Sequence, residues 1–85
     1  EEFNFKQSAK DIIITSQLRT AMILNKNIKA TNYQIDTYKS KIYIYGIAIT
    51  SDEKNEVISV AKQILDVKDV IASILLVDNL RIQKN

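Results

Sequence analysis

The 85 residues predict an α+β fold: an α-β-β-α-β two-layer sandwich with two helices on one face of a three-stranded mixed sheet. Three observations carry that expectation. Two segments space their apolar residues at helical intervals. Three others alternate or run apolar in the manner of strands. Finally, a strand, a helix and another strand fall within about 35 residues, a length that suits a crossover joining parallel strands.

Glu1 to Gln7 sets Phe3 and Phe5 among polar residues and reads as a linker or docked N-terminal extension (residues 1–7), followed by a domain over 8–77 and a polar tail over 78–85. Ser8, with Asp11 three positions on, has the form of a reciprocal helix cap, so the first helix is expected from about Ala9 to about Asn25. Ile14, Leu18, Ala21 and Met22 make its core stripe. Ile12, Ser16, Arg19 and Ile23 fall nearly opposite, with Ile13 off both lines, so this helix carries more apolar surface than one core needs. Ile28 lies in the polar connection Lys26 to Thr31 and is expected to plug the helix end.

Tyr33, Ile35 and Thr37 alternate with Gln34, Asp36 and Tyr38, which predicts a half-buried strand over Asn32 to Tyr38. Lys39-Ser40 is the expected hairpin turn, although neither is the Asn or Gly such turns favour. Lys41 to Ile49 is the central strand, with seven of nine residues apolar or aromatic. Gly46 within it suggests a neighbour too close for a Cβ atom, and a crossing helix is the expected neighbour. Thr50 and Glu53 have capping-box spacing and open a second helix, expected to reach about Leu65 with Val57, Val60, Ala61 and Ile64 inward. Val70 to Val77 is the third strand. Tyr43, Tyr45, Ile47, Ile71, Leu75 and Val77 should then point away from both helices, and such a patch commonly marks a contact surface.

Composition narrows the chemistry. An apolar fraction of 46% and a charged fraction of 26% suit a folded domain, and a net charge of +2 is too small to mark a nucleic-acid protein. With no cysteine and no histidine, disulfides, thiol nucleophiles, soft-metal sites and the usual general base are all removed. No apolar run approaches the roughly 18 residues of a membrane span. The chain starts at Glu1 and not Met, so it reads as a piece of something longer.

Ile42-Tyr43-Ile44-Tyr45-Gly46-Ile47-Ala48, the Thr50 to Glu53 cap, Ala61 in the following helix and the connection Val67-Lys68-Asp69-Val70 together resemble a BON domain over about residues 9 to 77. Two positions depart from that family's pattern. Asp66 stands for a glycine and Lys39-Ser40 for Asn-Gly, and both bear on turn geometry rather than on the fold. Asp11-Ile12-Ile13-Ile14-Thr15-Ser16-Gln17-Leu18-Arg19 further resembles the start of the second BON domain of DolP-type dual-BON outer-membrane lipoproteins. That likeness implies a periplasmic location at the inner face of the outer membrane, a lipid anchor far upstream, a part in envelope integrity and contact with anionic phospholipid through the first helix.

Catalysis is not expected: the Asp, Glu, Lys, Ser and Thr side chains are dispersed, with no phosphate-binding loop or paired base. Asp52-Glu53 reads as a cap favoured by the helix dipole rather than a carboxylate pair or metal site, and Lys26, Lys29, Lys39 and Lys41 as solvated surface. No cofactor or metal is expected. Some BON proteins sense small ions, but no converging oxygen ligands can be named here. The leading expectation is a non-catalytic phospholipid-binding module whose contacts are Lys10, Ile12, Ile13, Ser16, Gln17, Arg19 and Ile23. The alternative is a protein-interaction module that pairs with a sister BON domain or with itself through Tyr43, Tyr45, Ile47, Ile71 and Leu75.

Overall fold

A computed structural model describes residues 4–77. The elements follow in the order α1 (Phe5–Leu24), a 3-10 turn (Ala30–Asn32), β1 (Tyr33–Tyr38), β2 (Lys41–Ala48), α2 (Ser51–Lys62) and β3 (Asp69–Leu76). The expected α-β-β-α-β order holds. Phe3 and the tail over 78–85 lie outside the described residues.

The sheet order is β1-β2-β3, with β1 antiparallel and β3 parallel to the central β2. Both helices cover the face that carries Ile35, Ile42, Ile44, Ala48 and Ile74. Ile14, Leu18 and Met22 descend from α1, and Val57 and Ala61 from α2; all five are at most 1% exposed. Ile28 closes the core beneath the α1 end at 6% exposed. Val60 and Ile64 pack at its margin.

The helix start differs from the one expected. Asn4, not Ser8, caps α1: its side-chain oxygen accepts from the Gln7 N–H at 3.0 Å, so Phe5 to Gln7 form the first turn rather than a linker. Asp11 does no capping because the turn between β1 and β2 takes its carboxylate. Lys39 and Ser40 sit at φ 52° and 67°, the left-handed pair required by a two-residue type I′ hairpin, and Tyr38 pairs with Lys41 across them. Side chains other than glycine resist this conformation. Here the Asp11 carboxylate accepts the N–H groups of both Lys39 and Ser40 at 2.8 Å. Gln7 adds its amide to Asp11 at 2.8 Å and to the buried Ser40 hydroxyl at 3.0 Å. A carboxylate on α1 thus supplies what Asn-Gly would otherwise supply from within the turn.

Asp66, between α2 and β3, is left-handed too, at φ 70°. Glycine reaches that conformation without the Cβ penalty, while loosening the unfolded chain. Asp66→Gly should therefore stabilise the domain by about 0.5 kcal/mol net. A rise in the urea midpoint with unchanged slope checks this, and a fall would reveal an interaction of the Asp66 side chain that outweighs its backbone strain.

Gly46 corrects another expectation. The atoms nearest to where its Cβ would stand come from the 3-10 turn and β1, not from an α-helix. Gly46 pairs with Tyr33 across the hairpin, and a Cβ built on it would lie 2.6 Å from Cδ1 of the Tyr33 ring and closer still to the Asn32 carbonyl oxygen. The missing side chain lets the 3-10 turn and the Tyr33 ring close over β2.

Candidate binding surfaces

Only one side of α1 is spent on the core. At 3.6 residues per turn, Ile12, Ser16, Arg19 and Ile23 lie within about 60° of one another on the side away from the sheet, and all four are exposed. The earlier helix start adds Phe5, seven residues before Ile12, to the same line. Ile13 lies about 100° round the helix, with Lys10 and Gln17 beyond it, and these three are exposed as well. Phe5, Ile12, Ile13 and Ile23 are 54 to 80% exposed, a large apolar area for one helix of a small domain. Lys6, Lys10 and Arg19 flank it with positive charge. Sequence reasoning missed Phe5 and Lys6 because the linker reading hid their helical phase, and Leu24, also exposed, extends the strip at the far end.

The second surface is the sheet face that no element among the described residues covers. Tyr43 stands beside Ile71, Tyr45 beside Ser73, and Ile47 beside Leu75 in the parallel register. Tyr45, Ile47, Ile71 and Leu75 are 37 to 53% exposed, and Tyr43 is half-buried. Asp36 and Gln34 border these residues on β1. The two surfaces lie on opposite sides of the domain, since α1 packs on the other face of the sheet.

Between α1 and β1 runs a cleft with two distinct parts. One, of about 380 Å³, is lined by polar groups that include Ser8, Asp11, Thr15, Asp36 and Thr37. There the Thr15 and Thr37 hydroxyls meet at 2.6 Å and tie helix to strand. The other is a notch of about 210 Å³ lined by Arg19, Met22, Ile23, Ala30, Thr31, Tyr33 and Ile35.

Among the described residues two carboxylates, Asp11 and Glu53, have depressed pKa values, and both are explained by the fold. Burial works to raise the Asp11 carboxyl. The bonds from Ser40 N–H, the Gln7 amide and Lys39 N–H, with the charge of Lys10, outweigh it and leave the pKa below the usual range. Glu53, 7% exposed, is likewise raised by burial and lowered further by its donors, chiefly the Lys29 and Ile49 N–H groups at 2.9 and 3.1 Å. Its own N–H is capped by the Thr50 hydroxyl at 3.1 Å, so the expected cap is formed, while its carboxylate passes over the Thr50 N–H to reach Ile49 and Lys29. The buried Tyr33 hydroxyl reaches toward the same carboxylate without a well-formed bond, and burial together with Glu53 pushes its pKa up. Perturbed carboxyls often mark reactive sites. These two are occupied by backbone donors and have no free role. Among the described residues no group of three His, Cys, Asp or Glu side chains could hold a metal, and no helix is long and apolar enough to cross a membrane.

The family model for the BON domain matches residues 10–78. A protein of Anaplasma centrale described as "Uncharacterized protein in gshII 5'region" is 36% identical over 76 residues, which cover 89% of this chain and 50% of that protein. The chain therefore spans about half the length of that relative.

Proposed function

Since the chain belongs to the BON domain family, known in general for phospholipid binding, we propose that it is a non-catalytic module that docks on anionic phospholipid through the outer face of α1. One observation carries this reading: an exposed apolar strip from Phe5 to Ile23 with Lys6, Lys10 and Arg19 beside it. A helix lying in the membrane interface buries such a strip among the upper acyl carbons, while its basic residues stay at the headgroups. Each basic residue near an anionic surface contributes about 1 kcal/mol, so three make a weak, salt-sensitive attachment. The likeness of Asp11 to Arg19 to the second domain of DolP-type lipoproteins supports placing the module in the periplasm, at the inner face of the outer membrane, within a lipid-anchored parent that maintains envelope integrity.

Ile13→Glu should weaken binding to phosphatidylglycerol vesicles by at least about tenfold, because an isoleucine leaves the apolar interface and a like charge meets the headgroups. Co-sedimentation measures it, and circular dichroism should remain that of the folded domain, since Ile13 is exposed. Unchanged sedimentation would sink the proposal.

The uncovered sheet face favours a second reading, in which a sister domain or another copy packs on Tyr43, Tyr45, Ile47, Ile71 and Leu75. Light scattering at rising concentration tests the copy. A mass that rises for the native chain and stays monomeric for Tyr45→Lys supports pairing; a monomer in both removes self-association.

A further inference from the structure

We infer that the notch between α1 and β1 takes one acyl chain of a bound anionic phospholipid, with Arg19 at its mouth beside the phosphate. This rests on the lipid-docking reading and specifies how the lipid is held. The notch floor consists of Met22 and Ile35, core residues 1% and 6% exposed that nevertheless line an open cavity of about 210 Å³. Its walls are Ile23, Ala30 and the Tyr33 ring. The gap lies beside β1, which is an edge strand with no further strand paired beyond it among the described residues.

Three features select the occupant. Apart from Arg19 and Thr31 the lining is apolar, which suits a hydrocarbon and gives a headgroup or sugar no hydrogen-bond partners among Met22 and Ile35. Arg19 is the exposed cation among the lining residues, and its planar guanidinium matches phosphate geometry. Ile23 belongs both to the notch and to the strip on the outer face of α1, so a chain leaving the bilayer alongside the helix meets no polar barrier on its way in. The chain exchanges apolar neighbours for apolar neighbours, while the notch loses water. The larger part of the cleft is unsuited to the same ligand, because Asp11 and Asp36 line it and would repel the phosphate.

Photolabelling tests this. Phosphatidylglycerol with a diazirine at the end of one acyl chain is placed in vesicles, irradiated with the protein, and the labelled residues are mapped by mass spectrometry. The expected result is label on Tyr33 and Ile35 as well as on the outer face of α1. In Ala30→Leu, whose added side chain fills the notch, the β1 label should be largely lost while the α1 label and co-sedimentation persist. Label confined to the outer face of α1, or β1 label undiminished in Ala30→Leu, overturns the notch and leaves surface docking standing. Absence of both label and co-sedimentation overturns docking together with the notch.

Discussion

Glu53→Ala should cost the domain about 3 kcal/mol, since it removes hydrogen bonds to a charged acceptor, each contributing about 1.5–3 kcal/mol. The carboxylate holds three segments that are distant in sequence: the Lys29 N–H before the 3-10 turn, the Ile49 N–H at the end of β2 and, more loosely, the Tyr33 hydroxyl at the start of β1. Alanine takes the charged acceptor from all three, beside an open pocket lined by Asn27, Ile49, Thr50 and Glu56. A melting temperature lower by about 12 °C or more would correspond, given roughly 4–8 °C per kcal/mol for a domain of this size. Glu53→Gln keeps the volume and one acceptor oxygen but turns a donor toward another donor, so an intermediate loss is expected. A melting temperature within a degree or two of the native value for both variants would mean that water replaces the carboxylate without cost.

The same groups set the response to acid. Asp11 and Glu53 have folded-state pKa values below those of the unfolded chain, so their stabilisation is fully present above the ordinary carboxyl range and is lost as pH falls through the depressed values. Stability should therefore hold flat from neutral pH to about 5 and fall below it, where the unfolded chain binds protons first. In Glu53→Gln the fall should be shallower, with the Asp11 share remaining.

The order of elements was legible because it depends on periodicity, which burial enforces along the whole length of a strand or helix. Ile42 and Ile44 against Tyr43 and Tyr45 read correctly from alternation alone. What sequence hid was tertiary use of local patterns. Ser8 and Asp11 have cap spacing, yet Asp11 is drawn away by the Lys39-Ser40 turn, and Asn4 caps the helix instead. Glu53 shows both halves of the problem: its N–H bond to Thr50 is local and legible, whereas its carboxylate's bond to Lys29, 24 residues away, has no trace in spacing. For the outer face of α1 the strip of isoleucines was visible, but its extension to Phe5 depended on knowing where the helix begins.

Gly46→Ala should destabilise by about 3 kcal/mol, the upper end of what overpacking costs in a well-packed region. The sign is what makes this informative. An alanine for a glycine in an extended strand normally gains about 0.4–1 kcal/mol by restricting the unfolded chain, and Gly46 has no left-handed φ to forbid it. A loss can come only from the space the methyl would enter. One neighbour there, the Asn32 carbonyl, is backbone in the 3-10 turn, and the other is the Tyr33 ring, which is wedged between β2 and Glu53. The Asn32 N–H bonds the Lys29 carbonyl and the Tyr33 hydroxyl reaches toward Glu53, so displacing either should disturb the Glu53 contacts and couple the two largest effects. In the double variant Gly46→Ala with Glu53→Ala the costs should sum to less than the separate losses, because the region that Gly46→Ala displaces is the one Glu53 no longer holds. Chemical denaturation of the two single variants and the double measures this coupling, and strict additivity would show that the Tyr33 ring and the Asn32 carbonyl yield to the methyl without disturbing Glu53.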